Sequence, residues 1–489
     1  MNAAERMLSG GRDDAVALIC GMEAVTYAQL RDRAARTAGW LLSNAVQPGD
    51  RVIVAGADGI AWVVAWLGAV WAGAVAVALS PRLRGDELGH ILNETGARIC
   101  FADADAAAAI ATVSFHSPLK LAALEGAETR AGRAIGPVER NAEEPAFWIY
   151  SSGTTGRAKA VVHAHRCAQA CAAFASTVLR ATPDDRLFVT SRLFFAYALA
   201  NSLFAGFALG ATVVLDPEWP DPVRTASLIA AQRPTLLFSV PTYYHLLLVQ
   251  GVAEQIGRTG VRACMSAGES LPPKVAESWQ RATGRALFSG YGMSETLAVV
   301  LFRDTAGAQG PCAAPLTEVR AEPGSGAPDL PLRLWFRHPS VALGYYRWPE
   351  LQERNFRDGW CSSGDLFFPR ADGQWVFAGR DDSLVKVAGR WVSTLELQQQ
   401  LSSELAAEVQ DLAVAALSGA EGLTGIAVLA VPPAGRREAA RVLLQKRLDA
   451  LPAHQRPRWE YWLDAMPRTA TGKLQLARLR EIHRAALGL

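Results

Sequence analysis

Short apolar runs alternate with longer stretches of helical spacing along most of the chain. Ala24-Val-Thr26 is extended, and Tyr27-Ala-Gln-Leu30 opens a helix running toward Leu42. Val52-Ile-Val54 is a strand, Gly85-Asp-Glu-Leu88 opens another helix, and Arg98-Ile-Cys-Phe101 is a further strand. Residues 102–145, rich in Ala, Glu and Gly, read as helix and exposed connection. Strands Ala146–Tyr150 and Ala160–His163 flank a polar turn. Strands Arg186–Thr190, Thr212–Leu215 and Thr235–Ser239, with a helix near 222–232, form a second set of units. Val261–Glu269 and Leu287–Thr296 are strands that end in small-residue turns, whereas residues 302–330 show no readable element. This alternation predicts an α/β fold with largely parallel sheets.

The last hundred or so residues differ. Strands Leu412–Ala416 and Ile426–Ala430, helix Arg437–Leu451, strand Trp459–Trp462 and a basic helix Leu474–Ala485 predict a small α+β domain. The boundary is placed at 381/382, giving domains 1–381 and 382–489. Nothing repeats at a fixed period, which argues against a solenoid.

Ile60 to Leu79 carries no charge and reaches the nominal length of a membrane span. Gly68 and Gly73 interrupt it and the period changes after Gly73, so Ile60–Trp71 is expected as a buried helix and Ala74–Leu79 as a strand. Lys+Arg 49 against Asp+Glu 47 leaves a net charge of +2, which gives no global attraction to nucleic acid or an anionic membrane. Seven scattered cysteines fit a reducing cytoplasm, and Met1–Arg6 lacks the apolar core of a signal peptide. Cys167 and Cys171, close to His163 and His165, are expected as helix and core residues rather than a zinc site.

The candidate chemistry centres on Tyr150-Ser-Ser-Gly-Thr-Thr-Gly-Arg-Ala-Lys159. A turn containing Ser151, Ser152, Gly153, Thr154, Thr155 and Gly156 aims backbone N–H groups and hydroxyls at one point, and Lys159 adds an ammonium. Such a set holds phosphate oxygens, though glycine, serine and threonine alone also make an ordinary surface turn. It is not a Walker loop, because the glycines stand too close together and Ala160 follows the lysine. The turns ending in Ser266-Ala-Gly268-Glu269 and Ser289-Gly-Tyr291-Gly-Met-Ser294-Glu295 let a flat ring approach the backbone. Glu295 is a candidate magnesium ligand, since Mg²⁺ takes one or two carboxylates plus phosphate oxygens. Asp365 follows a Ser-Gly turn, and a carboxylate there can accept two hydrogen bonds. Gly324-Ser-Gly326 precedes Ala327-Pro328 with no helix pattern and reads as a plain turn.

Five motifs in this order resemble the adenylate-forming superfamily of acyl- and aryl-CoA synthetases, adenylation domains and luciferases, over nearly the whole chain. The departure is Ala160, where the family usually has glycine. The resemblance implies a large N-terminal domain of layered sheets and helices with a β-subdomain, plus a small mobile α+β C-terminal domain. It implies ATP, Mg²⁺ and coenzyme A as cofactors. Adenine would lie between the Gly268 and Gly290 turns beside Tyr291, with Ser294 and Glu295 at the phosphate–magnesium site. Asp365 would hold the ribose hydroxyls, Arg380 the ribose or phosphate, and Asp382 would be the hinge. Lys473, in Pro467-Arg-Thr-Ala-Thr-Gly-Lys473, would serve the first half-reaction, and Lys386 and Gly389 the thiol half-reaction.

Leu193-Phe-Phe-Ala-Tyr-Ala-Leu199 resembles the benzoate-CoA ligase branch. Phe195, Tyr197, Ala198, Ser266 and Ala267 would line a flat apolar slot, or the aromatics would be plain core. The run has no carboxylate to pair with an α-ammonium, which disfavours amino acids. The expected activity is therefore aryl-CoA ligation. The alternatives are transfer to the phosphopantetheine of a carrier protein, or a non-catalytic nucleotide-binding protein on the same fold. A monomer or homodimer with an aromatic acid as substrate is expected.

Overall fold

The computed structural model describes residues 1–127, 132–152, 157–305, 311–322, 331–370, 374–380, 384–387, 390–405, 408–421, 423–467 and 474–488. Contacts divide the chain into one unit of residues 1–151, 158–320 and 335–363, and a second of residues 152–157, 321–334 and 364–489.

The first unit holds two large sheets. In the seven-stranded sheet, Arg51–Ala55 pairs in parallel with Val75–Leu79 and Ile99–Ala102. Pro145–Ser152 and Lys120–Ala123 extend it on either side, and Ala158–Ala164 and Gly344–Tyr345 complete one edge. The nine-stranded sheet has a parallel centre of Leu287–Tyr291, Ala263–Ser266, Leu236–Ser239, Arg186–Val189, Thr212–Leu215 and Val16–Cys20. Antiparallel strands close both of its edges. The carboxyl ends of its central strands carry the small-residue turns named above, the place where open α/β sheets take their ligands.

The uncharged stretch from Ile60 forms helix Ile60–Trp71 and strand Val75–Leu79. Eleven of the twelve helical residues are buried, so the helix is apolar all round because it has no water-facing side. Gly68 lets helix Tyr27–Ser43 approach it, since a Cβ there would strike Thr37. Thr26 and Gln29 close a capping box at the start of that second helix. The core packs Trp66 against Phe147 and Phe204 at ring-centroid distances of 5.5 and 5.2 Å. Among the described residues, no helix is long and apolar enough to cross a membrane.

In the second unit, Asp411–Ser418 pairs antiparallel with Thr424–Val431, which pairs in parallel with Trp459–Trp462. Helices Thr394–Glu404, Arg437–Asp449 and Leu476–Leu487 accompany this sheet. A hairpin of Leu384–Val387 and Arg390–Ser393 sets Lys386 opposite Trp391. Strands thus alternate with helices around largely parallel sheets in the first unit, and the second is a small α+β arrangement of a mixed sheet and its helices, as expected from the sequence.

Candidate active site

The turn Ser294-Glu295-Thr296 follows strand Leu287–Tyr291 and is held at every residue. His163 Nε2 donates to the Ser294 carbonyl at 2.9 Å. The Ala342 N–H donates to the Glu295 carbonyl at 2.8 Å. Ser340 Oγ donates to the Thr296 carbonyl at 2.5 Å and lies 2.6 Å from His338 Nδ1. Thr296 Oγ1 accepts from the Met293 N–H at 3.1 Å. Leu297, buried, takes a left-handed φ of 61°. For a non-glycine residue this costs about 1 kcal/mol, which the surrounding bonds offset.

Glu295 carries the candidate carboxylate of this turn. The Tyr345 hydroxyl donates to its Oε1 at 2.6 Å, and Asn355 Nδ2 donates to the Tyr345 oxygen at 3.1 Å. This charge-assisted bond orients the carboxylate through one of its two oxygens. Burial, with Glu295 adjacent, holds the Tyr345 hydroxyl protonated, far above the ordinary tyrosine range. An oxygen donor set with one oriented carboxylate fits Mg²⁺ that also binds phosphate oxygens. Among the described residues, no three His, Cys, Asp or Glu side chains gather into a cage of their own.

The flanking glycines are set by the protein's own packing, and Gly290 lies inside strand Leu287–Tyr291 rather than in a turn. Gly268 takes φ 87°, and a Cβ on Gly292 would sit 2.8 Å from the Ala298 carbonyl oxygen. A Cβ on Gly290 would strike Met265 Cε. The Tyr291 hydroxyl lies 2.8 Å from Ser363 Oγ, and its ring is 5.8 Å from that of Phe336. Ser289 is in register with Ser266 on the neighbouring strand. Glu269 is bound to the Thr242 hydroxyl and accepts from the Thr242 N–H at 3.3 Å, so its carboxylate caps helix Pro241–Val249.

Ser151 and Ser152 end strand Pro145–Ser152, while Gly153, Thr154, Thr155 and Gly156 lie outside the described residues. Lys159 stands inside strand Ala158–Ala164 rather than in the turn. It is 8% exposed, with Nζ 5.7 Å from the Trp348 ring centroid, a cation–π contact. Ala160 is fully buried in the strand, so its methyl group packs in the core.

The slot run begins a helix at Ala196 that takes a π turn over Leu199–Phe204, a distortion common at functional sites. Phe194 is buried, whereas Phe195 is 38% exposed. The Tyr197 hydroxyl lies 3.2 Å from the Ser239 carbonyl and 3.1 Å from the Met265 carbonyl. It thus anchors the run to two strand ends, and its single proton is already engaged. Ala198, Ser266 and Ala267 are buried.

In the second unit, the strand register sets Asp365 opposite Arg380. Lys386 Nζ lies 5.8 Å from the Trp391 ring centroid. Asp382, Gly389, Lys473 and the Gly324-Ser-Gly326 turn lie outside the described residues.

Cys167 and Cys171 are buried, and burial pushes both thiols up. His165 Nδ1 accepts from the Ala3 N–H at 3.0 Å. These residues are core, as expected. The supports of Glu295 were not visible as such in the sequence. Tyr345 sits in the Gly344-Tyr-Tyr346 segment, and only the three-dimensional structure brings it to Glu295.

Three buried histidines frame this region. Burial lowers His163 to about 3 and His165 and His338 to about 4. Their folded pKa values lie below the unfolded value, so the unfolded chain takes up protons first. Stability from these groups is complete above about pH 6.5 and is lost as pH falls toward 4, about 2 kcal/mol for each at pH 5. Tm is therefore expected to fall between pH 6.5 and 5. His163→Gln, which keeps an N–H donor but cannot be protonated, should flatten that fall, and an unchanged slope would contradict the assignment.

The sequence model of the AMP-binding enzyme family matches residues 7–346. The chain is 37% identical over 513 residues to a 3-hydroxybenzoate–CoA ligase of Aromatoleum sp. (strain CIB), covering 99% of this chain and 97% of that protein. It is 34% identical over 526 residues to a 3-hydroxybenzoate–CoA/4-hydroxybenzoate–CoA ligase of Thauera aromatica, covering 100% and 98%. A solved benzoate CoA ligase from Burkholderia xenovorans LB400 aligns with a TM-score of 0.83 at 27% identity, covering 98% of this chain and 100% of that one.

Proposed function

Because the chain belongs to the AMP-binding enzyme family, we propose that it activates an aromatic acid of the benzoate and hydroxybenzoate class with ATP and transfers the acyl group to coenzyme A. In the first step a carboxylate oxygen attacks the α-phosphorus of ATP, the bond to pyrophosphate breaks, and an acyl-adenylate remains. In the second, the coenzyme A sulfur attacks the acyl carbonyl, AMP leaves, and the thiol proton is released.

The first barrier is the approach of two anions. Bound Mg²⁺ supplies positive charge at the phosphates. Glu295, oriented by Tyr345, is the residue that would hold it, and Ser151, Ser152 and Lys159 belong to the phosphate side. The Gly268 turn and the carboxyl end of strand Leu287–Tyr291 would take adenine beside Tyr291. Asp365 and Arg380 for the ribose, Asp382 as hinge at a 381/382 boundary, Lys473 for adenylation, and Lys386 and Gly389 for the thiol step are part of the same proposal, carried by sequence resemblance.

The observation that carries the aryl specificity is the slot run. Tyr197 ties it to the ends of strands Leu236–Ser239 and Ala263–Ser266, and the partly exposed Phe195 offers an aromatic face. No carboxylate lies within residues 193–199. An aromatic ring gains from such a face, and an ammonium would be left unpaired.

The test is aroyl-CoA formation with benzoate, 3- and 4-hydroxybenzoate, 2-aminobenzoate, cinnamate and short fatty acids. An aryl acid is expected to exceed the fatty acids in kcat/KM by about 100-fold. Adenylate formation without transfer to coenzyme A would assign a carrier-protein thiol as acceptor. A fatty acid as best substrate would overturn the slot assignment. Absence of any acid-dependent pyrophosphate release would leave a nucleotide-binding protein.

A further inference from the structure

Two buried charges outside this chemistry stand at the base of the slot run. Asp58 is 5% exposed and Arg192 is 6% exposed. Asp58 lies between strand Arg51–Ala55 of the seven-stranded sheet and helix Ile60–Trp71. Arg192 immediately precedes the run Leu193–Leu199. Its Nη1 is 3.6 Å from Asp58 Oδ2. The same guanidinium donates to the Asp216 carbonyl at 2.6 Å and the Pro217 carbonyl at 3.2 Å, and lies 4.8 Å from the Trp219 ring centroid. Asp216 follows strand Thr212–Leu215 of the nine-stranded sheet, and its carboxylate is bound by Arg224 at 2.6 Å.

The Asp58 carboxylate has a second task. It accepts from the Leu193 N–H, with distances of 3.3 Å to Oδ1 and 3.1 Å to Oδ2. Leu193 is the first residue of the slot run and is fully buried. The pair therefore clamps that run to a turn of one sheet and to a loop of the other. Stability alone explains it poorly, because buried ion pairs seldom outperform apolar packing of the same volume. Here burial raises the Asp58 carboxyl to about 7 against the pull of Arg192 and the Leu193 N–H, so desolvation is not fully offset. What an apolar pair would not provide is a directed bond to one backbone N–H.

We propose that Asp58 and Arg192 are positioning residues for the aromatic acid: they fix the start of the run that carries Phe195 and Tyr197, and so set the fit of the aryl ring. The inference rests on residues 193–199 forming the acid slot. Neither side chain is assigned a contact with the substrate. A small displacement of a binding element costs rate or affinity far beyond its own contact energy.

The experiment measures KM for 3-hydroxybenzoate at saturating ATP and coenzyme A, KM for ATP at saturating acid, and Tm, on the full chain and its Asp58→Asn, Asp58→Ala and Phe195→Ala variants. Asp58→Ala is expected to raise the acid KM about 10-fold while the ATP KM stays within about twofold. Asp58→Asn keeps an oxygen facing the Leu193 N–H and should recover part of that loss. If Asp58→Ala does not fold, Asp58→Asn carries the test, with an expected rise of about threefold. A lower Tm and lower apparent kcat with both KM values unchanged would make the pair merely structural and overturn the proposal. If Phe195→Ala raises the acid KM and neither Asp58 variant does, the slot stands and the proposal alone fails. If Phe195→Ala leaves the acid KM unchanged, the slot assignment fails and the proposal falls with it.

Discussion

Lys473→Ala is expected to slow acyl-adenylate formation by about 10²–10³-fold while leaving the reaction of a preformed aryl-adenylate with coenzyme A nearly intact. The two half-reactions place different demands on charge. Attack of a carboxylate on a triphosphate gathers negative charge at the α-phosphoryl group, where a fixed ammonium is worth most. Attack of a thiol on an acyl-adenylate releases AMP from an already activated carbonyl and needs no such help from the same group. Lys473 follows Thr471-Gly472 in the sequence and precedes helix Leu476–Leu487, within the motif whose resemblance assigns it to the first step. Acid-dependent pyrophosphate exchange reads the first half-reaction, and thioester formation from synthetic aroyl-AMP reads the second. Equal losses in both would remove Lys473 from the first step alone.

The second large effect is expected at Glu295. Glu295→Gln should lower the adenylation rate by about 10²–10³-fold, because a neutral amide is a poor ligand for a hard divalent cation. Tyr345→Phe separates orientation from charge. It removes only the hydroxyl that donates to Glu295 Oε1 and leaves the aromatic packing against Phe356, whose ring lies 5.3 Å away. The carboxylate would then keep its charge and lose its fixed direction. The Mg²⁺ concentration giving half-maximal rate is expected to rise about 10-fold, with little change in Tm. Direct Mn²⁺ binding in the presence of ATP, followed by electron paramagnetic resonance, should weaken in parallel. An unchanged metal dependence would mean that Tyr345 only packs.

How much of this was legible before the structure depended on the range of the interactions. Helix Ile60–Trp71 follows from an unbroken apolar run and a change of period at Gly73, both local. Strands Thr212–Leu215 and Trp459–Trp462 and helix Pro222–Gln232 likewise carry their signals within a few residues. Strand Lys120–Ala123 escaped because its short run Leu121-Ala-Ala123 is mostly alanine within an Ala-rich stretch and reads as readily as helix, and only one of its residues is even half-buried. Helix Thr394–Glu404 escaped because Leu395 and Leu397 alternate as they would in a strand.

The site was legible as residue types and not as geometry. Glu295 stands out beside a glycine-containing turn, but its partner Tyr345 lies 50 residues further on. Lys159 reads as part of a loop, whereas pairing with the edge strand Gly344–Tyr345 draws its segment into the sheet. Tyr197 reads as a lining residue of an apolar slot or as plain core, and nothing local reveals that its hydroxyl reaches two strand-end carbonyls. Asp58 reads as a charge flanking an apolar run, and nothing local reveals that it holds the Leu193 N–H and Arg192.

The central claim is that an aryl carboxylate is activated through an acyl-adenylate. The most direct measurement uses 3-hydroxybenzoate labelled with ¹⁸O in both carboxylate oxygens, together with ATP and coenzyme A. One labelled oxygen should appear in AMP, none in pyrophosphate, and aroyl-CoA should form in step with AMP. Unlabelled AMP, or label in inorganic phosphate with ADP as the other product, would contradict it.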